Sequence, residues 1–347
     1  MRKILLLLMM LLVVGAQISC GQHQQVYGIG FYNLENLFDT FHDEAKNDYD
    51  FLPDGRNNWT EKKYKHKLRN MSQVLAEMGT DVVPGTGCAI IGVSEVENKR
   101  CLRDLCNQPK LKERNFKYCH VEGPDPRGID CALLYNPSLF KVRNVKLVPF
   151  VPDRKKGKGR NIRGFLTVSG TLAGEHVTVI VCHWPSRGTE AYYRELAGLQ
   201  VRELKDSLQR EDPGVKIIIM GDMNDDPHDR SMSEVLGARR NISDVEDGGL
   251  YNPWWKLHDS GTGTLTYKNK WNLFDQIVVS QNLLNVGGKD NFNTLKFSSN
   301  QIFRRDYLFQ EKGKHKGEIK RTHAGGTWLD GYSDHLPTLI FLKKEKR

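Results

Sequence analysis

Five short apolar runs each end at, or begin from, a cluster of Asp, Asn, Glu or His, and this repeated junction constrains the chain more than any other feature. Ile90-Ile91-Gly92-Val93-Ser94 leads into Glu95, and Val179-Ile180-Val181-Cys182 leads into His183. Ile217-Ile218-Ile219-Met220-Gly221 leads into Asp222 and Asn224. Asp275 lies inside Phe274-Asp275-Gln276-Ile277, and Asp334-His335 opens Leu336-Pro337-Thr338-Leu339-Ile340. Short continuous apolar runs of this kind read as buried strands. Strand ends deliver polar side chains to one edge of a rigid sheet, where sites are built. One junction alone is an ordinary turn; five on successive strands point to a site.

Helical patterns alternate with these strands. Tyr64, Leu68, Met71, Val74, Leu75 and Met78 recur at helical spacing behind Thr60, which reads as an N-cap with Trp59 and Tyr64 as a hydrophobic staple. A second helix is expected over 102–107. A long third helix is expected over 189–209 with Leu196, Leu199, Leu204 and Leu208 inward, stopped by Asp212-Pro213-Gly214. Strands are expected over 26–32, 82–94, 116–121, 129–135, 144–150, 216–220, 274–280 and 336–341, and a hairpin joins 164–168 to 176–182 through Ala173-Gly174-Glu175. The alternation makes the class α/β. With 347 residues the chain can bury a sizeable core without disulfides or metals to staple it.

The N-terminus is a different material. Arg2 and Lys3 precede an unbroken apolar run over 4–14, too short to span a bilayer and of the form of a secretory signal. Export follows, with residues 1–19 removed and 26–347 forming a single domain. Ile18-Ser19-Cys20 resembles a bacterial lipobox, which would make Cys20 a lipidated N-terminus and the protein periplasmic or anchored to the outer membrane. Val14-Gly15-Ala16 is the competing signal-peptidase site. Of the other six cysteines, Cys131 and Cys182 lie in apolar runs and read as buried thiols. Cys88, Cys101, Cys106 and Cys119 are the bridge candidates in an exported chain, with Cys101 and Cys106 close enough to pair locally.

The polar inventory suits one chemistry. A phosphate ester is an anion that resists water, so a catalyst must neutralise its oxygens, supply a nucleophile and help the leaving oxygen depart. A hard cation bound by carboxylates does much of this. Amides and imidazoles then add hydrogen bonds without adding repulsive charge.

The ordered set Tyr32-Asn33-Leu34-Glu35-Asn36, Ser94-Glu95-Val96-Glu97-Asn98, Arg127-Gly128-Ile129-Asp130, His183-Trp184-Pro185-Ser186-Arg187, Gly221-Asp222-Met223-Asn224, Phe274-Asp275 and Ser333-Asp334-His335 resembles the endonuclease/exonuclease/phosphatase superfamily. The resemblance implies a four-layer α/β sandwich, two mixed β-sheets packed face to face with helices outside. It implies Mg²⁺, with Mn²⁺ or Ca²⁺ as substitutes or additional ions, held by Glu95 with Glu35 and Asp334. Asn33 matches the amide that orients the catalytic carboxylate. Asp222 matches the residue that activates water or binds a second metal, and Asn224 a donor to the phosphoryl oxygen. His335 matches the histidine at the phosphate, with Asp275 fixing its tautomer and favouring its protonated form. His183 matches the second phosphate-side histidine. Arg187 is placed to steady the phosphate, and Arg127 is a further substrate-binding candidate that, with Asp130, supports the site.

The substrate is less legible. Net charge is +9, two units of which leave with Arg2 and Lys3, and a basic balance suits polyanionic partners. Basic runs over 154–163 and 304–321, the second interleaved with Tyr307 and Phe309, suit nucleic-acid backbones and bases. The leading expectation is a monomeric, exported endonuclease acting on DNA or RNA. A phospholipid or inositol-phosphate phosphoesterase is the alternative, although no apolar insertion hairpin is evident and Met223-Asn224-Asp225-Asp226-Pro227 departs from the inositol-phosphatase form. A catalytically inactive binding protein on the same scaffold would substitute motif positions, and none is substituted.

Overall fold

The computed structural model describes residues 24–152, 163–267, 270–286 and 291–346. The signal segment, Cys20 and most of the first basic run lie outside the described residues. In chain order the main elements are β1 (Gln24–Leu37), α1 (Glu61–Glu77), β2 (Cys88–Val96), α2 (Lys99–Cys106), β3 (Lys117–His120), β4 (Asp130–Tyr135), β5 (Phe140–Val148), β6 (Phe165–Leu172), β7 (Glu175–His183), α3 (Ala191–Glu211), β8 (Lys216–Asp222), β9 (Ala238–Arg239), β10 (Leu250–Tyr251), β11 (Leu265–Tyr267), β12 (Lys270–Asn272), β13 (Asp275–Ser280), β14 (Lys296–Ile302), β15 (His323–Ala324), β16 (Thr327–Trp328) and β17 (Thr338–Glu345).

Two mixed sheets carry the architecture. One has six strands in the order β14-β17-β1-β2-β4-β3, and the other has seven in the order β5-β6-β7-β8-β13-β10-β9. Alternation along β1 explains why they stack: Ile29 and Phe31 face the second sheet, while Tyr32 and Leu34 face outward. The layer between the sheets contains Ile29, Phe31, Ile90, Leu133, Val179, Ile218, Met220, Ile277 and Ile340. Outside the first sheet, α1 and α2 contribute Leu68, Met71, Leu75 and Leu102 to a second layer. Outside the second sheet, Ala197 and Val201 of α3 cover Ile217, Ile219 and Val278. This is the four-layer sandwich expected. Gly92 lets the sheets approach, since a Cβ there would lie 2.4 Å from Met220 Sδ.

Several local expectations need correction. The strand expected over 82–94 begins only at Cys88, because Pro84 and the left-handed Gly85 and Gly87 hold 79–87 as a loop. α2 begins at Lys99, where Asn98 Oδ1 accepts from the Arg100 and Cys101 amides at 2.8 and 3.1 Å. Thr60 occupies the N-cap of α1, but its side chain makes no capping bond. The inward face of α3 is Arg194, Ala197, Gly198, Val201 and Lys205, with Leu196, Leu204 and Leu208 only partly covered. Gly198 decides this rotation, because a Cβ would meet Ser231 O at 2.7 Å. The four bridge candidates Cys88, Cys101, Cys106 and Cys119 are free thiols, as are Cys131 and Cys182. All except Cys106 are buried, so they behave as small core residues.

Candidate active site

Strand register places the first three site residues in one row. His183 of β7 is paired with Asp222 of β8, and Asp222 is paired with Asp275 of β13. Opposite them on the facing sheet, Asn33 of β1 is paired with Ser94 of β2. The ends of both sheets therefore converge on one cleft edge. The pairing of β1 with β2 shifts between Asn33 and Leu37, and that of β2 with β4 shifts between Ser94 and Val96. These bulges coincide with left-handed backbone at Glu35 (φ 47°), Asn36 (φ 56°) and Glu95 (φ 59°). Such strain costs about 1–3 kcal/mol per residue and persists only where surrounding contacts impose it. Here they do: Asn33 Oδ1 accepts from the Glu35 amide at 2.9 Å, and Glu95 Oε2 accepts from the Asn36 amide at 3.0 Å.

The centre is built around Asp222. Asn33 Nδ2 donates to its Oδ2 at 3.1 Å and lies 3.5 Å from Glu95 Oε1. His183 Nε2 stands 3.6 Å from Asp222 and 3.8 Å from Glu95. His335 Nε2 lies 3.8 Å from Asp222, and its Nδ1 meets Asp275 Oδ2 at 2.7 Å. The Asn224 amide donates to Asp222 Oδ1 at 3.0 Å, and Asn224 Nδ2 is held by Trp184 O at 3.0 Å. Ser333 secures the His335 loop, its hydroxyl donating to Asn33 O at 2.7 Å and accepting from the His335 amide at 3.1 Å.

These contacts separate the two histidines electrostatically. Burial works against charge on His335, but Asp275 and then Asp222 outweigh it and hold its pKa well above the usual histidine value. Burial, reinforced by Arg163, Arg127 and His335, pushes His183 well below that value, so it is a neutral donor. Burial raises Asp222 to about 7 despite the opposing pull of His335. Burial and the neighbouring Asp334 likewise raise Glu35 to about 7.

A divalent cation fits this donor set. Glu95 and Asp222 place two carboxylates against the one Asn33 amide, and among the described residues the lysine or arginine paired with either is Arg127, 4.0 Å from Glu95. Hard oxygen ligands of this kind suit Mg²⁺. Asp222, Asp275 and His335 also lie within 4.8 Å of one another and could hold an ion, although His335 Nδ1 is already turned to Asp275 Oδ2 at 2.7 Å. That trio is an acid dyad facing a carboxylate. The other two expected ligands lie beside this centre and are held by Arg321: Asp334 Oδ1 stands 3.9 Å from His335 Nε2, and Glu35 accepts from Arg321 Nε at 3.2 Å and the Thr322 amide at 2.7 Å. Arg321 Nη2 also binds Asp334 at 2.9 Å, so one guanidinium links both carboxylates.

The two expected substrate arginines occupy different positions. Arg127 reaches Asn36 Oδ1 at 2.5 Å beside Glu95. Arg187 donates to Asn224 O at 3.1 Å, pairs with Asp226 and Asp229 at 3.0 and 2.6 Å, and lies 4.4 Å over the Phe274 ring. These contacts, with Nη1 donating to Asn272 Oδ1 at 3.4 Å, tie it to the 224–229 loop and to β12, so it positions Asn224. Asp130, whose contribution was open, accepts from His120 Nε2 at 3.0 Å and the Gly123 amide at 3.2 Å, anchoring the loop that carries Arg127.

Three buried cations brace the site, and two of them, Lys67 and Arg194, were not singled out from sequence. Arg163 binds Asp125 at 2.9 Å and His183 O at 3.2 Å, so the one described residue of the first basic run is structural. Lys67 donates to Thr322 Oγ1 and Tyr332 O, both at 2.5 Å, bracing the segments that carry Arg321 and Asp334. Its signal was a lysine on the apolar stripe of α1, between Tyr64 and Leu68. Arg194 pairs with Asp225 at 2.8 Å beneath the same loop as Arg187.

The fold is shared with solved structures. ANGEL2, a 2′,3′-cyclic phosphatase, superposes with a TM-score of 0.57 at 14% identity, covering 95% of this chain and 100% of its own. The mannosyl-6-phosphatase of Bacteroides thetaiotaomicron gives 0.53 at 15% identity, covering 91% and 99%. D. rerio TDP2 complexed with single strand DNA product gives 0.52 at 14% identity, covering 92% and 99%. At such identities the likeness is one of fold. No curated protein matches by sequence. The family model of the Endonuclease/Exonuclease/phosphatase family matches residues 28–344. The chain therefore belongs to the endonuclease/exonuclease/phosphatase family of metal-dependent phosphoesterase hydrolases.

Proposed function

We propose that this phosphoesterase is an exported, Mg²⁺-dependent phosphodiesterase that cleaves DNA or RNA internally. The observation that carries the catalytic reading is the His335–Asp275 pair directed at Asp222, with Asn33, Asn224 and His183 around the same carboxylate. Glu95 and Asp222 would hold the cation, which when bound withdraws charge from the phosphoryl oxygens. Asp222 takes a proton from the attacking water as the new P–O bond forms. His335 donates a hydrogen bond to a non-bridging oxygen as charge grows there, and the leaving oxygen departs with the bonding pair and takes a proton from solvent water. His183 and Asn224 supply uncharged donors on the same side. Asn33 keeps the Asp222 carboxylate aimed.

The polyanionic substrate is supported by the basic balance of the chain and by the fold shared with TDP2 in its DNA-product complex. Export rests on Arg2, Lys3 and the apolar run that follows, with Cys20 as the lipid-anchor site. The test is one substrate panel: supercoiled plasmid, structured RNA, a bis-ester phosphate dye, sphingomyelin and an inositol polyphosphate, each with Mg²⁺, Mn²⁺ or chelator. Nicked plasmid or shortened RNA only with metal is expected. Dye hydrolysis without nucleic-acid cleavage removes the nuclease reading, and turnover of the lipid or inositol ester installs the alternative.

A further inference from the structure

Among the arginines around the cleft, one is bound only by aromatic rings. Arg305 pairs with Asp81 at 2.8 Å, Arg321 with Glu35 and Asp334, Arg187 with Asp226 and Asp229, and Arg163 with Asp125. The Arg304 guanidinium instead lies 5.3 Å from the Trp271 ring and 4.7 Å from the Phe309 ring. Among the described residues it has no carboxylate or hydrogen-bond partner. Burial lowers its pKa and no acid offsets that effect. Stacking fixes the plane of a guanidinium while leaving its N–H edge available, which is the arrangement that recognises phosphate or carboxylate.

Backbone bonds tie the segments that carry Arg304 and its aromatic partners to those that carry His335 and Asp275. The Phe303 amide donates to Pro337 O at 2.8 Å, two residues beyond His335. The Leu336 amide donates to Thr264 O at 2.7 Å, and Thr264 Oγ1 accepts from the Asp275 amide at 3.3 Å. Thr264 thus ties the β11–β12 hairpin, which carries Trp271, to both strands that supply the His335–Asp275 dyad. Phe309, bridged to Ile319, completes the stack from the segment that leads to Arg321.

We propose that Arg304 is a specificity residue that binds a second anionic group of the substrate, next to the ester cleaved at His335. In a polynucleotide that group is the neighbouring phosphodiester, so the inference deepens the nuclease reading and rests on it for that identity.

The test compares wild type with Arg304→Gln and Arg304→Lys on a short oligonucleotide and on the singly charged bis-ester dye. Arg304→Gln should raise KM for the oligonucleotide about tenfold while leaving both constants for the dye unchanged. It should also flatten the dependence of log KM on log salt by roughly one unit. Arg304→Lys should keep the salt dependence because it keeps the charge. Equal losses on dye and oligonucleotide would assign Arg304 a merely structural role, and unchanged KM would remove it from recognition; either overturns the proposal. If wild type turns over the dye but no nucleic acid, the nuclease reading fails separately. Arg304 is then judged on a sugar bisphosphate against the corresponding monophosphate, where the same selective loss is required.

Discussion

Arg163 offers the sharpest test of how the site is held. Its side chain and that of Asp125 are 9% and 6% exposed and lie 2.9 Å apart. Truncating one partner of a buried pair leaves an uncompensated charge, at a cost of about 3–5 kcal/mol. Arg163→Met should therefore destabilise the protein by about that amount, measured by urea unfolding. Replacing both partners by apolar residues is nearly neutral in many proteins. Here it should recover only part of the loss, because Asp125 Oδ1 also accepts from the Arg127 amide at 2.8 Å. A coupling energy of about 2 kcal/mol between Arg163→Met and Asp125→Leu is expected. Dye turnover should fall in both single variants and stay low in the double variant. Arg163 holds the His183 carbonyl and Asp125 holds the Arg127 loop, and neither contact returns when stability does. Additivity of the two single effects within about 0.5 kcal/mol would show that the pair is uncoupled and refute the bracing argument.

Two further outcomes follow from the site geometry and a third from the N-terminal sequence. His335→Ala should lower kcat by about 10²–10⁴-fold with an unchanged circular dichroism spectrum; near-normal turnover removes its role at the phosphate. Asp275→Asn should lower the His335 pKa toward its ordinary value and move the alkaline limb of the kcat–pH profile to lower pH. Because His335 is raised in the folded state, the pair stabilises the fold fully below about pH 6.5. That stability is lost as pH rises through the folded pKa, and the variant should lack this alkaline loss in thermal melts; an unshifted limb and melt argue against the dyad. Cys20→Ser should move the protein from the membrane to the soluble fraction of cells; unchanged fractionation makes Ala16 the processing site.

The parts of the fold that sequence made legible are those where one local rule suffices. The stripe of Tyr64, Leu68, Met71 and Leu75 finds α1, and continuous apolar runs find β7 and β8, because burial on one face or both leaves a periodic trace. The row His183, Asp222, Asp275 was visible only as three strand ends; the pairing that aligns them is long-range. Val82 and Val83 looked like strand, yet backbone conformations demanded by Gly85 and Gly87 outweighed their propensity. Arg163 looked like the end of a basic run suited to nucleic acid, since nothing local marks a charge whose partner lies 38 residues away.

The least legible feature is also the one that most directly shapes the site. Glu35 and Glu95 adopt left-handed backbone that glutamate rarely takes, so every local rule argues against the bulges that turn them into the cleft. The compensation is distributed: Asn33 and Asn36 bond across the two bulges, Arg321 and Thr322 clamp Glu35, and Lys67 supports Thr322 from α1. Each of those contacts joins residues that are individually ordinary. A site in which local preference is violated at two carboxylates and repaid by a network is where sequence reasoning is expected to lose resolution. It follows that Lys67, which touches neither carboxylate, is nonetheless part of what keeps Glu35 in its strained position.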